Sequence, residues 1–299
     1  MAIPVRLKAS FYWLVAHSGI TWVVRQTLQR HGATIVCYHD PSPEALRAHI
    51  EFLAQRYNLV PVRQIIDWLY DRSCELPPRA LAITLDDGWV GNLRLERLLT
   101  ESGIMPTVFV CTQIVGTHRR FWFQTVPDGA EKDELKRLPD AVRVERLASQ
   151  GFVELDEFRG EPSAVDLEQL RAMRAWADVQ SHTRLHPILP MCGDERARDE
   201  IAGSRADLEH ALDGHEVYAL AYPNGDYTQR DAQMAREAGY RCALTIDPGF
   251  VARGDDPFTL PRVRLTDDAG RDELAVRLSG VHAFTRRVAQ VFGLVSDRT

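Results

Sequence analysis

Two aspartates stand side by side at the end of an apolar run, in AITLDDGW at residues 82–89. Adjacent like charges repel, and taking either carboxylate out of water unpaired is costly. Two readings fit the stretch. Asp-Gly commonly makes a turn, and a strand can simply end there. Alternatively a cation sits against the pair, one aspartate binding it while its neighbour works as a base. A second stretch, SHTRLH at 181–186, sets His182 and His186 four residues apart just past another β-rich run. If the chain between them makes a helical turn, the two rings face the same way. With one carboxylate they complete a two-histidine, one-carboxylate set, a common zinc arrangement that leaves a position open for water. Other divalent ions accept the same donors. A third stretch, AYPNG at 221–225, follows an apolar run as well, and Pro-Asn-Gly favours a turn there.

The elements that carry these residues are legible in the spacing of apolar positions. Runs rich in β-formers recur at 34–40, 59–62, 80–88, 106–110, 178–183, 216–223, 241–246 and 260–265. Between most of them apolar residues fall three and four apart, as in PEALRAHIEFLAQRY, WVGNLRLERLLTESG, DLEQLRAMRAW, DERARDEIAGSRADLEHAL and QRDAQMAREAGY, the spacing of amphipathic helices. Strand and helix in alternation predict a parallel sheet. Closed into a barrel or open and doubly wound, such a sheet carries its chemistry at the carboxyl ends of the strands. Residues 113–165 break the rhythm and read as an insertion over one face, a lid rather than a separate domain.

Composition narrows the function classes. The 299 residues are 45% hydrophobic and 26% charged, an ordinary globular balance with a formal net charge of -6. That charge argues against a chain built to coat nucleic acid phosphates. The five cysteines are scattered, odd in number and form no CxxC, so they read as buried thiols of a reducing compartment. No apolar run approaches the roughly 18–20 residues that span a bilayer. Residues 1–39 hold no aspartate or glutamate, but they hold Arg6, Lys8, Arg25 and Arg30 with Phe11, Tyr12, Trp13 and Trp22 among them. Such a segment fits a membrane interface, and it fits equally a helix that caps the bottom of the domain. On the first reading the protein is cytoplasmic and peripheral at the inner membrane face.

TLDDG, SHTRLH and AYPNG, in that order, resemble the first three motifs of the polysaccharide deacetylases, the NodB-homology or carbohydrate esterase family four enzymes. The resemblance runs roughly from residue 34 to 265. It implies a distorted (β/α)7-8 barrel and the metal-dependent removal of acetyl groups from sugars. Carried over, it makes Asp87 a ligand beside His182 and His186 for one divalent ion, zinc being the ion expected, and makes Asp86 the general base. It gives the backbone N–H of Asn224 to the developing oxyanion. Ala221 stands where many members carry an arginine that orients the base, and Arg262 in LPRV is the candidate substitute; Leu85 replaces a usual phenylalanine. The family's late general-acid histidine has no clear match, which leaves His39, His282 or a returning proton on Asp86. Asp40, Tyr222 and Trp89 are expected at the substrate, with Trp122 and Phe123 as further stacking candidates.

The chain thus divides into a basic, amphipathic segment at 1–33, a catalytic domain at 34–280 that contains the 113–165 insertion, and a helical tail at 281–299. The expected activity is N-deacetylation of an N-acetylhexosamine polysaccharide or a lipid-linked glycan intermediate, in exopolysaccharide or cell-envelope biosynthesis. Two alternatives stand beside it: hydrolysis of another non-peptide carbon–nitrogen bond in a small amide, and a module that binds metal or sugar without turnover.

Overall fold

The computed structural model describes residues 5–281, so His282 and nearly all of the tail lie outside the described residues. Two helices come first, α1 (Val5–His17) and α2 (Ile20–Gln26). Strands and helices then alternate: β1 (Ala33–Tyr38), α3 (Pro43–Ala54), β2 (Asn58–Leu59), α4 (Val62–Tyr70), β3 (Ala80–Leu85), α5 (Glu96–Glu101) and β4 (Thr107–Val110). After α6 (Ala130–Arg137) and α7 (Asp140–Ser149) come α8 (Leu167–Met173), β5 (Asp178–Ser181), α9 (Asp194–Arg198), α10 (Ser204–Ala211), β6 (Ala219–Ala221), α11 (Gln229–Glu237), β7 (Cys242–Leu244), β8 (Val263–Arg264) and α12 (Arg271–Leu278).

All strand pairs are parallel, in the order β7-β6-β5-β4-β3-β1-β8 with β2 on β3. Every residue of β1 and β3 is buried, which is why ATIVCY and ALAITL read as unbroken apolar runs: Val36, Leu81 and Ile83 pack under the helices, while Ile35, Ala80 and Ala82 pack inside on Phe109, Ala219 and Leu244 of other strands. The sheet curls until its ends approach. Leu244 of β7 bridges Leu260, and the same segment continues into β8 to pair Val263 with Val36 of β1. The result is the distorted (β/α) barrel.

Local signals set the helix starts. Ser42 caps α3 by accepting from the Ala45 N–H, with Pro43 in the first turn; Asp166 with Gln169 and Thr228 with Asp231 form reciprocal caps on α8 and α11. One expectation needs correction. The run at 59–62 is not a strand beyond Leu59, because Pro61, lacking an N–H, ends the pairing and stands before the first turn of α4. Segment 113–165 holds α6 and α7 around Trp122, Val126, Leu135, Leu147 and Phe152, packed on Ile188.

Register fixes where the chemistry emerges. Tyr38 pairs with Leu85, and the Asp86 N–H donates to Tyr38 O at 2.9 Å. Val110 pairs with Ser181, and the His182 N–H donates to Val110 O at 2.9 Å. His39, Asp86 and His182 are therefore the first residues past their strands on one rim of the barrel.

Candidate active site

The chain leaves β3 through two consecutive left-handed residues, Asp87 (φ 77°) and Gly88 (φ 73°). Asp tolerates that region better than most residues with a side chain. Position 88 does not: a Cβ there would meet Val110 Cγ1 at 2.8 Å, so only glycine fits. This turn points the two carboxylates of the opening motif in different directions, each to its own set of partners.

Asp87 is buried, and Trp89 Nε1 donates to its Oδ2 at 2.8 Å. Its Oδ1 has no hydrogen-bond partner, yet it lies 3.4 Å from His182 Nε2 and 3.5 Å from His186 Nε2. His182 Nδ1 donates to the Ala221 carbonyl at 2.8 Å, which fixes the proton on Nδ1 and turns the Nε2 lone pair toward Asp87. Burial pushes His186 down to about 3, so that imidazole is neutral. For His182, burial acts in the same direction, but Asp86 and Asp87 outweigh it and raise the pKa. One donor atom from each of Asp87, His182 and His186 falls within 4.8 Å of the others. An orphaned, buried carboxylate oxygen facing two imidazole nitrogens fits a divalent ion, and the donor set is that of a zinc-type site.

The two histidines do not share a helical turn. Thr183 (φ 69°) and His186 (φ 58°) are both left-handed, and a loop, not a helix, brings the rings to 4.9 Å between centroids. That loop is clamped from beneath. Glu200 Oε2 accepts from the Arg184 N–H at 2.7 Å and the Leu185 N–H at 2.9 Å. The Arg184 guanidinium donates to Asp207 and Asp199. Glu200 is buried on a π-helical stretch, Asp199–Gly203, between α9 and α10, a distortion that often marks functional positions. Its other oxygen lies 3.1 Å from Arg196 Nη2, which also donates to Glu154 of the 113–165 segment at 2.9 Å. Burial raises the Glu200 carboxyl to about 6. Sequence reasoning missed this residue; the available signal was a glutamate at helical spacing from Ala197, Ser204 and Leu208, on a stripe that is otherwise uncharged.

Asp86 faces the other way. Arg262 grips it with both ends of its fork, Nη1 to Oδ1 at 2.7 Å and Nη2 to Oδ2 at 2.8 Å, while its Nε donates to Thr245 O and its Nη1 also to Thr84 Oγ1. The Cys37 thiol donates to Asp86 Oδ2 at 3.2 Å. Burial raises the Asp86 carboxyl, but Arg262 first and then His182 reverse this and hold it at about 2. His39 stands at the end of β1 near both aspartates and His182, half-buried, with its pKa lowered by burial. Asn92 Nδ2 fixes its backbone by donating to His39 O at 2.8 Å.

The remaining expected residues divide. Asn224 (φ 54°) is half-buried in the tight turn Pro223–Gly225 past β6. Trp89 is half-buried beside Phe121 and Phe123, and Phe123 packs on His186 at 4.9 Å between ring centroids. Tyr222 is a correction: its side chain is fully buried, stacked on Tyr227 with its hydroxyl donating to Phe258 O, so it supports the turn and offers no face to a sugar. Trp122 is likewise buried, its indole N–H donating to His186 O at 3.1 Å. Asp40 is exposed and paired with Arg94 at 3.0 Å.

The profile of the family described as polysaccharide deacetylase matches residues 74–243. No curated protein sequence matches the chain. Among solved structures, the deacetylase PplD of Streptococcus pyogenes, in complex with acetate, is 17% identical with a TM-score of 0.62, over 83% of this chain and 98% of that one. IcaB from Ammonifex degensii is 23% identical with a TM-score of 0.62, over 84% and 98%. The BpsB deacetylase domain from Bordetella bronchiseptica is 18% identical with a TM-score of 0.56, over 78% and 95%.

Proposed function

This chain belongs to the polysaccharide deacetylase family, and on that premise we propose that it removes N-acetyl groups from an N-acetylhexosamine-containing polysaccharide or lipid-linked glycan intermediate. The observation that carries the reading is the split at Asp86-Asp87: one carboxylate oxygen orphaned between two imidazoles, the adjacent carboxylate locked ionised by Arg262. In this reading Asp87, His182 and His186 hold one divalent ion, zinc by preference of the donor set. When bound, that ion supplies Lewis-acid charge that acidifies water and polarises the acetyl carbonyl.

Asp86 takes the proton of the attacking water, a role for which its low pKa keeps it unprotonated at rest. The Asn224 backbone N–H donates to the growing oxyanion, a type of contact that contributes about 3–4 kcal/mol. The proton gained by Asp86 is relayed through His39, whose lowered pKa leaves the imidazole neutral and able to accept it, to the amine as the carbon–nitrogen bond breaks, leaving acetate and the free amino sugar. Trp89 and Asp40 stand at the substrate side. We assign the reaction to exopolysaccharide or envelope assembly at the cytoplasmic side of the membrane; IcaB and the BpsB deacetylase domain share the fold.

The test is acetate release from N-acetylglucosamine oligomers by the purified protein, with and without added divalent metal, beside Asp86→Asn. Metal-dependent release that the variant loses supports the reading. Release from simple amides but from no acetylated sugar would move the activity to another carbon–nitrogen bond. Metal bound at His182 and His186 with no turnover of any acetylated glycan, free or lipid-linked, would leave a binding module.

A further inference from the structure

Nearly half of the large apolar side chains exposed among the described residues lie at one place. Trp13, Leu14, Ile20, Trp22, Val23 and Leu28 are all exposed, Trp13 and Trp22 at 58% and Leu14 and Leu28 at 63% and 68%. They lie on α1, α2 and the short turn after them. A helix packed on a globular domain ordinarily buries its apolar stripe and shows a polar one. Here the outer face is apolar too, although both helices are held on their inner side: Tyr12 and Thr21 are buried, and Gln29, just past α2, donates to Leu278 O and Thr34 Oγ1. Gly19 (φ 82°) turns the chain between the two helices, and Ile20, Trp22 and Val23 follow directly on that turn. An exposed apolar cluster of this density marks an interaction surface.

Charge beside the cluster says what it meets. Residues 1–39 contain no carboxylate side chain. Arg30 is exposed in the short turn after α2, and Arg271 is exposed at the start of α12, which packs on α1, so basic groups stand at this end of the domain. The nearby carboxylates stand on α12: Asp272, 3.9 Å from His17 Nδ1, and Glu273, paired with Arg277. Two exposed tryptophans with exposed arginines at the same end are the composition of a surface that rests in an anionic lipid interface. Among the described residues no helix is long and apolar enough to cross a membrane, so the element lies on the bilayer and does not pass through it.

We propose that α1 and α2 form a peripheral membrane-docking surface, in which Trp13, Leu14, Trp22 and Val23 enter the interfacial region and Arg30 and Arg271 face the lipid phosphates. The proposal stands apart from the deacetylase reading, because binding is measured without turnover. The full chain is mixed with vesicles of phosphatidylglycerol and phosphatidylcholine, and with phosphatidylcholine alone, and partitioning is followed by co-sedimentation and by the blue shift of tryptophan emission. Wild type is expected to sediment with the anionic vesicles and to be released by high salt. Trp13→Gln with Trp22→Gln is expected to weaken partitioning at least about tenfold while the melting temperature and acetate release from soluble oligomers hold. Should the double variant fold poorly, Leu14→Asp and Arg271→Glu test the apolar and charged halves separately, each lowering partitioning. Wild type remaining in the supernatant with anionic vesicles overturns the proposal, as does equal partitioning of folded variants. A stable dimer that the same substitutions dissociate, with no vesicle binding, gives the face to a second copy of the chain and overturns it as well.

Discussion

Replacing Arg262 tests how the base is kept ready. The Arg262 and Asp86 side chains are 0% and 3% exposed, and both oxygens of the carboxylate are held by the guanidinium fork. A carboxyl held at about 2 instead of its ordinary 3.8 contributes about 2 kcal/mol of stability at neutral pH. Because the folded pKa is depressed, that contribution is present above the unfolded value and is lost as pH falls through the folded one. Arg262→Met removes the opposing charge and leaves the burial, so the Asp86 pKa must rise. The acid limb of kcat/KM, measured at saturating metal, should then move up by one or more pH units. Activity should fall about tenfold for each pH unit below the shifted limb and recover above it. Stability at neutral pH should drop by about 3–5 kcal/mol, the cost of stranding a buried charge, and by less in acid, where Asp86 protonates. Arg262→Lys keeps the charge but not the fork and should fall between wild type and Met on both measures. Uniform loss of activity at every pH with an unmoved acid limb would refute the argument, because it would make Arg262 a packing residue that never tunes the base.

His39→Ala should slow release from N-acetyl sugars by about 10²–10⁴ yet leave an activated aryl acetate nearly untouched, since a good leaving group needs no proton; equal losses on both would remove His39 from the acid role. Glu200→Ala should weaken divalent-ion binding about 10–100-fold, read by chelator competition, with Glu200→Gln recovering much of it because an amide oxygen still accepts from Arg184 and Leu185. The folded Glu200 pKa is raised to about 6 from 4.5, so its proton-linked stability is present below the unfolded value and is lost as pH rises through the folded one. Wild-type stability relative to Glu200→Gln should therefore decline between those values in urea titrations. Asp87→Asn should abolish both metal binding and acetate release while Asp86→Asn retains metal and loses only release, a contrast that paired metal analysis and assay decide.

The sequence carried the fold wherever one physical signal dominated. β1 and β3 announced themselves as apolar runs because both their faces are covered, and α3, α8 and α11 because an apolar stripe and a cap agree. The stretch from 130 to 149 did not, because α6 and α7 bury little beyond Leu135, Arg143 and Leu147 and otherwise face solvent with charge. Pro61 hid the end of β2 in the same way: a β-rich run looks unbroken until one counts the N–H groups that pairing requires.

The site was legible as residue types and much less so as geometry. Asp86, Asp87, His182 and His186 stand out by spacing, but spacing suggested a helical turn where two left-handed residues make a loop. What holds that loop is recorded nowhere near it in the chain: Glu200 caps its amides, and Trp122, from the segment read as a lid, donates to the carbonyl of His186. Arg262 is equally remote from Asp86 in sequence, and it reaches the base only because segment 260–264 crosses from β7 to β1 as the barrel closes. The fold therefore does two jobs at this rim. Strand register delivers the residues that do chemistry, and the crossings between strands deliver the charges that set their protonation. Only the first of these leaves a pattern in a single sequence, which is why the carboxylates could be found by inspection, Arg262 entered through the family resemblance, and Glu200 needed the structure.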